Sequence, residues 1–158
     1  MWVASAISVM VGVAVMACDW REPSAAYLAA QFERQRPSFE QLRVLFDSDV
    51  KAVGLREVSV STDQSAWCGE GSVGSCLSAD RWNVYATAMR RIGVQAVSRK
   101  SAPERTYFIL YARTYLMNAR FSGVVHTAAA PVEVASAAER EHWKAIEPGW
   151  HSYLMVDG

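Results

Sequence analysis

The clearest structural signal lies in residues 77–93, which read LSADRWNVYATAMRRIG. Ser78 is a favourable N-cap residue, Asp80 suits the positive end of the helix dipole, and Gly93 is a typical stop. Leu77, just before the cap, can pack on the helix as a hydrophobic staple. Apolar residues recur at helical spacing and predict one buried face made of Trp82, Tyr85, Met89 and Ile92. The stretch therefore predicts an amphipathic helix that covers another layer of the fold.

A second helix is predicted upstream, after a segment of mixed character. Residues 18–36 are polar and Ala-rich and predict a tether that is helical in part, which Pro37 interrupts. Ser38 and Gln41 match the capping box of a new helix. This helix ends at Gly54, and its apolar stripe consists of Phe39, Leu42, Leu45, Phe46 and Val50.

The rest of the chain is dominated by strand signals. β-branched and aromatic runs predict strands at residues 55–60, 94–97, 106–112, 115–117 (or a longer run into 121–126), 143–147 and 150–156. Ala-rich residues 127–138, broken by Pro131, predict a loop. Pro148-Gly149 suits a type II turn, which would join the last two strands in a hairpin.

Together these elements predict an α+β fold. Two main N-terminal helices would pack on one face of a mostly antiparallel sheet of about four to six strands. We expect one domain over residues 37–158, since a chain of this size can bury a single sizeable core.

The N-terminus indicates export. Residues 1–17 carry no charged side chain and form an apolar run that is short for a membrane span and suits a signal segment. Val15-Met16-Ala17-Cys18 resembles the lipobox of bacterial lipoproteins, with an aliphatic residue three positions before the cysteine and a small residue directly before it. The resemblance implies a Cys18 thioether-linked to diacylglycerol and a protein held at the cell membrane, facing the periplasm, with the inner or outer membrane left open. An uncleaved N-terminal anchor and a soluble secreted form are the alternatives.

The other two cysteines lie on either side of a Gly/Ser-rich loop. If Cys18 carries lipid, Cys68 and Cys76 form an even pair in an oxidising compartment, so we expect a disulfide between them. A metal site is not expected, because the chain has no CxxC motif and no close pair of histidines. The loop also spells G-x-G-x-x-G, but it lacks the strand before it and the helix opening on it that a dinucleotide fingerprint needs.

One stretch carries a second resemblance. The helix Leu77-Ser78-Ala79-Asp80-Arg81-Trp82-Asn83-Val84-Tyr85, with Gly149-Trp150-His151-Ser152-Tyr153 near the C-terminus, resembles small uncharacterised lipoproteins of the Gram-negative cell envelope. Their shared features are an LSxxRWxxY helix before a sheet and a final Gly-Trp strand. The resemblance implies the same fold and location, and it implies no activity.

No catalytic set is predicted, and no metal or cofactor is expected. The histidines, His126, His142 and His151, have no spacing that requires them to converge. Two residues are possible binding elements. Arginine is enriched in binding hot spots, but helix geometry favours pairing of Arg81 with an acidic neighbour. Trp67, in a predicted exposed loop, could contact a partner, but we expect it to pack against the disulfide.

These observations favour a binding role without deciding it. The chain has 16 basic and 16 acidic residues, so no net field attracts nucleic acid. We expect a membrane-anchored envelope lipoprotein that binds an envelope protein or polymer, for example as an inhibitor or immunity protein. The alternative is a small envelope hydrolase or redox protein that uses the Cys68–Cys76 loop or the histidines; a purely structural or assembly role is a third possibility.

Overall fold

The computed structural model describes residues 22–61, 65–69, 76–101, 104–115, 118–128 and 139–157. The predicted signal segment, Cys18, the centre of the glycine-rich loop and the Ala-rich stretch 129–138 lie outside these residues. In the described part, no helix combines the length and the apolar character needed to cross a membrane.

Helix α1 spans Ala25–Val53 and is longer than the sequence predicts. It begins at Ser24, whose Oγ accepts a hydrogen bond from the amide of Tyr27 at 3.2 Å. It ends as predicted at Gly54, which adopts φ 68° and donates its amide to the last turn.

Pro37 lies inside α1 and does not interrupt it, so the predicted capping box of Ser38 and Gln41 is wrong. An interior proline costs a helix about 3 kcal/mol, because it lacks the amide donor and its ring clashes with the preceding turn. Here Phe32 and Phe39 lie on either side of it, fully buried on one stripe with ring centroids 5.5 Å apart. Burying two such side chains contributes roughly 3–6 kcal/mol. Tertiary packing therefore outweighs the local signal, and residues 25–36, predicted to be part tether, are helical.

Helix α2 spans Ala79–Ile92 and matches its prediction at both ends. Ser78 Oγ accepts from the amide of Arg81 at 3.3 Å, and Gly93 adopts φ 73°. The predicted core position of Trp82 is wrong: this side chain is half-buried. Arg81, one residue earlier, is bound to Asp49 of α1. The buried residues of α2 are Tyr85, Ala86, Met89 and Ile92.

The described residues form one antiparallel sheet of seven strands. The strands are β1 Leu55–Ser59, β2 Ala66–Cys68, β3 Ala96–Ser101, β4 Glu104–Tyr115, β5 Asn118–Thr127, β6 Glu139–Glu147 and β7 Trp150–Asp157. Their order is β2-β1-β3-β4-β5-β7-β6, and every neighbouring pair is antiparallel. The predicted α+β class is confirmed, but the sheet is larger than about four to six strands, partly because β2 forms where no strand was expected.

Both faces of the sheet carry apolar side chains. The helices cover one face, where Trp150 of β7 packs on Phe32, Phe39 and Phe108 with centroid distances of 4.7, 6.3 and 5.4 Å. A smaller cluster on the other face consists of the buried residues Tyr107, Val125 and Tyr153. The predicted hairpin between β6 and β7 is present, and Gly149 supplies the positive φ, 81°, that a type II turn needs.

The direction of α1 defines two ends of the fold. Its first turn lies near the end of β4 and the start of β5, where Glu22 pairs with Arg120 at 2.8 Å. Its last turns lie beside the start of β4 and the end of β5. We call this second end the distal end.

Candidate distal groove

Titratable side chains from α1 and three strands converge at the distal end. A cavity of about 310 Å³ is lined by Arg43, Asp47, Lys51, Arg99, Glu104, Thr106, His126, Thr127 and Ala128. The wall that α1 supplies consists of Arg43, Asp47 and Lys51. These residues follow one another at four-residue intervals, which places them on one side of the helix.

Ion pairs join the helix wall to the sheet wall. Arg43 donates to Glu40 and Asp47, each at 2.9 Å. Asp47 is also bound by Arg99 from β3, and Arg99 pairs in turn with Glu104 at the start of β4. The arginines thus link a continuous chain of carboxylates across the cavity.

Glu40 anchors this chain to the core. Its carboxylate accepts from Trp150 Nε1 at 3.0 Å. Burial acts to raise the pKa of Glu40, but hydrogen bonds from Arg43 and Trp150 hold it below its ordinary value. Glu40 therefore stays ionised near neutral pH and connects the ion pairs to the most buried aromatic cluster.

His126 brings a potential acid–base group to the same cavity. Its ring meets the ring of Trp150 at a centroid distance of 4.9 Å. Burial lowers the pKa of His126, and the positive charge of Arg43 lowers it further, so the imidazole is neutral at pH 7. The adjacent hydroxyl of Thr127 donates to the main-chain carbonyl of Glu104 at 3.2 Å.

A second cavity of about 340 Å³ adjoins the first and shares Arg99 and Glu104 with it. Its other lining residues are Val50, Gly54, Leu55, Arg56 and Gly69. We call the two cavities together the distal groove. The Arg99–Glu104 ion pair lies where the two cavities meet. The polar half of the groove extends from this pair toward His126, and the more apolar half extends toward Gly69.

The predicted disulfide borders the apolar half. Cys68 and Cys76 are bonded with an S–S distance of 1.99 Å and a Cα–Cα distance of 6.1 Å. Cys68 is buried in the main core cluster, and the next residue, Gly69, donates its amide to the carbonyl of Gly54 at 3.0 Å. The disulfide therefore fixes the start of the glycine-rich loop against the end of α1.

Trp67 lies on strand β2 rather than in a loop, and its side chain is 49% exposed. The expectation that it packs against the disulfide is not met. Consecutive residues of a strand point to opposite faces, and Ala66 and Cys68 on either side of it face the core. Its cross-strand neighbour is Glu57, whose pKa burial raises above the ordinary value. Among the strands that the structure describes, β2 is the outermost, so Trp67 lies at an edge of the sheet.

Arg81 has the structural role that the sequence left open. Its Nε and Nη2 bind the two carboxylate oxygens of Asp49 at 2.8 and 2.9 Å, and the Tyr85 hydroxyl donates to Asp49 at 2.8 Å. Burial raises the pKa of Tyr85 far above its ordinary value, and the bond to Asp49 adds to the rise. Asp49, only 8% exposed, therefore joins α1 to α2 through two residues of the LSxxRWxxY stretch.

The three histidines do not converge. His126 lines the distal groove, His142 is exposed on the edge strand β6, and His151 is buried on the sheet face away from the helices. Among the described residues, no group of three His, Cys, Asp or Glu side chains is arranged to hold a metal ion.

Another cavity, of about 650 Å³ and larger than either half of the distal groove, lies at the opposite end of α1. It is lined mainly by Tyr27, Leu28, Gln31, Leu110 and Tyr111. Its one carboxylate among the described residues, Glu22, is paired with Arg120. This cavity has far fewer charged side chains in its described lining than the distal groove.

The groove is not among the features predicted from the sequence. The four-residue spacing of Arg43, Asp47 and Lys51 is a local signal that could have indicated a charged helix stripe. The partner of that stripe, Arg99, comes 52 residues after Asp47, and only the antiparallel pairing of β1, β3 and β4 brings it there.

Comparison with known proteins adds no relative. No family model matches the chain, and neither a curated protein nor a solved structure matches it.

Proposed function

We propose that this protein is a lipid-anchored envelope lipoprotein, facing the periplasm, that acts as a binding module for another envelope protein or polymer. An inhibitor or immunity protein is one form that such a module takes. The observation that carries the proposal is Trp67, a large aromatic side chain left 49% exposed on an open sheet edge. Tryptophan is strongly enriched in binding hot spots, and the neighbouring disulfide limits the entropy lost when this edge binds.

The position of Cys18 suits this role. Only three residues separate it from Glu22, which is tied to the sheet through Arg120, so lipid on Cys18 would hold the first turn of α1 close to the bilayer. Lys51 lies about 39 Å further along the helix, at 1.5 Å per residue from Ala25. The distal groove and the β2 edge would then face away from the membrane, toward soluble or surface partners.

The disulfide supports the export on which the proposal depends. Structural disulfides persist in compartments such as the periplasm and are rare in the cytosol. Assigning Cys18 to lipid leaves Cys68 and Cys76 as an even pair, and these two are bonded.

A small envelope hydrolase is the second candidate, and one observation favours it. His126, neutral at pH 7, lines a cavity together with Asp47 and Glu104. Both carboxylates are engaged by Arg99, however, and the Thr127 hydroxyl is bonded to main chain. If the protein is a hydrolase, His126→Asn abolishes turnover; if it is a binding module, this variant leaves the contact that Trp67 makes with the partner intact.

Two measurements test the main proposal. Cells that express the full chain are fed an alkyne fatty acid, and we expect label on the wild type and none on Cys18→Ser. A photo-crosslinking amino acid is then placed at position 67 and, as a matched control, at position 44, where Val44 is 58% exposed on α1. We expect a discrete cross-linked envelope partner from position 67 alone. An unlabelled wild type would refute the anchor, and equal cross-linking from the two positions would refute the binding edge.

A further inference from the structure

The distal groove has an excess of positive charge among its described lining residues. In its polar half three cations, Arg43, Lys51 and Arg99, line it against the two carboxylates of Asp47 and Glu104. Lys51 makes no ion pair with any described residue and stands at the mouth of the polar half.

The two ends of the Arg99–Glu104 ion pair differ in how firmly they are held. The side chain of Arg99 is only 15% exposed and is also bound by Asp47 beneath it. The side chain of Glu104 is 73% exposed and lies where the two halves of the groove meet. Ion pairs with one such exposed member contribute little to stability, so Glu104 can leave Arg99 at small cost.

Arg99 would keep its geometry if Glu104 left. Its guanidinium presents a planar set of donors that match a carboxylate, and Asp47 would continue to orient it. The apolar half of the groove, with the half-buried Val50 in its wall, would meet the residue beside an incoming carboxylate.

We infer that the distal groove binds an acidic peptide segment of a partner protein. In the unbound protein, Glu104 occupies the position on Arg99 that a carboxylate of the partner takes in the complex. This inference rests on the proposed binding function and names the chemistry of its partner. Lys51 adds long-range attraction for the acidic segment, and Val50 contacts an aliphatic residue next to the bound acid.

The test uses the full chain in neutral detergent at low ionic strength. The probe is an acetylated and amidated Glu-Leu-Glu-Leu-Glu peptide, titrated by calorimetry. Removing a competing exposed ion pair corresponds to a change in affinity of about two- to five-fold. We expect Glu104→Gln to bind the probe more tightly by that factor and Lys51→Gln to bind it more weakly by a similar one. Lys144→Gln, which changes an exposed lysine on strand β6, is the matched control and should leave the affinity unchanged.

Two further ligands separate a peptide site from a general anion site. The same peptide with Gln in place of each Glu should not bind, and inorganic phosphate should bind more weakly than the acidic peptide. The inference is overturned if Glu104→Gln fails to tighten peptide binding, or if phosphate binds as well as the peptide. A failure here that leaves the position-67 cross-link intact refutes the acidic ligand and not the binding function.

Discussion

Replacing Asp49 tests the contact that joins the two helices. Asp49→Asn keeps the size of the side chain and removes its charge. It weakens the bonds from Arg81 Nε and Nη2, at 2.8 and 2.9 Å, and alters the bond from the Tyr85 hydroxyl. Breaking a buried ion pair typically costs about 3–5 kcal/mol. The Arg81 side chain is 35% exposed and can regain some hydration, so we expect a loss of about 2–3 kcal/mol in the free energy of unfolding.

The assay is urea denaturation at pH 7 without reductant, followed by circular dichroism and repeated as a thermal melt. For a domain of this size the loss corresponds to a fall in Tm of roughly 6–12 °C. Glu147→Gln is the matched control, because it makes the same chemical change in the exposed pair with Arg36. It should cost less than about 1 kcal/mol.

Two results would contradict this reasoning. One is an Asp49→Asn variant as stable as Glu147→Gln. The other is a double-mutant cycle with Arg81→Met that shows no coupling between the two sites. The second result would reopen Arg81 as a recognition residue, since its replacement would then act on binding and not on stability.

Three further predictions concern stability. Gly123→Ala should prevent folding or lower stability by several kcal/mol, because an ideal Cβ at this position would lie 2.0 Å from the carbonyl oxygen of Phe108; soluble yield and thermal melts measure it. Replacing both disulfide cysteines by serine should cost about 2–3 kcal/mol in urea denaturation, and a reductant should then have no additional effect. Burial lowers the pKa values of His126 and His151, so the unfolded chain takes up these protons first as the pH falls. Stability should therefore be independent of these groups above about pH 6.5 and decline below it, and glutamine at both positions should flatten that decline in urea midpoints measured against pH.

Local signals in the sequence were sufficient where local geometry decides the structure. Ser78 and Gly93 close α2 as predicted, because capping depends on residues within one turn. Gly149 fixes the last hairpin for the same reason, since a type II turn requires a positive φ at that position.

Predictions from the sequence were wrong or missing where residues far apart in the chain decide the structure. Pro37 is tolerated because Phe32 and Phe39 bury against the sheet. The free energy of this burial depends on strand residues far from position 37 in the chain, so the sequence around Pro37 does not reveal it. Strand β2 has three residues and too short a pattern to be recognised, and it exists because β1 offers it a paired edge. The distal groove depends on the meeting of Asp47 with Arg99, which is a property of the strand order.

The residues of the LSxxRWxxY stretch and the residues that line the distal groove are different sets. Ser78, Arg81 and Tyr85 are explained by the cap of α2 and its bond to Asp49, so this part of the LSxxRWxxY stretch is a requirement of folding. No residue of that stretch lines the groove. The stretch therefore supports the packing of the two helices and says nothing about the ligand. Substitutions that probe ligand choice should therefore be made at Lys51 and Glu104, where stability changes little, and the motif should be left intact.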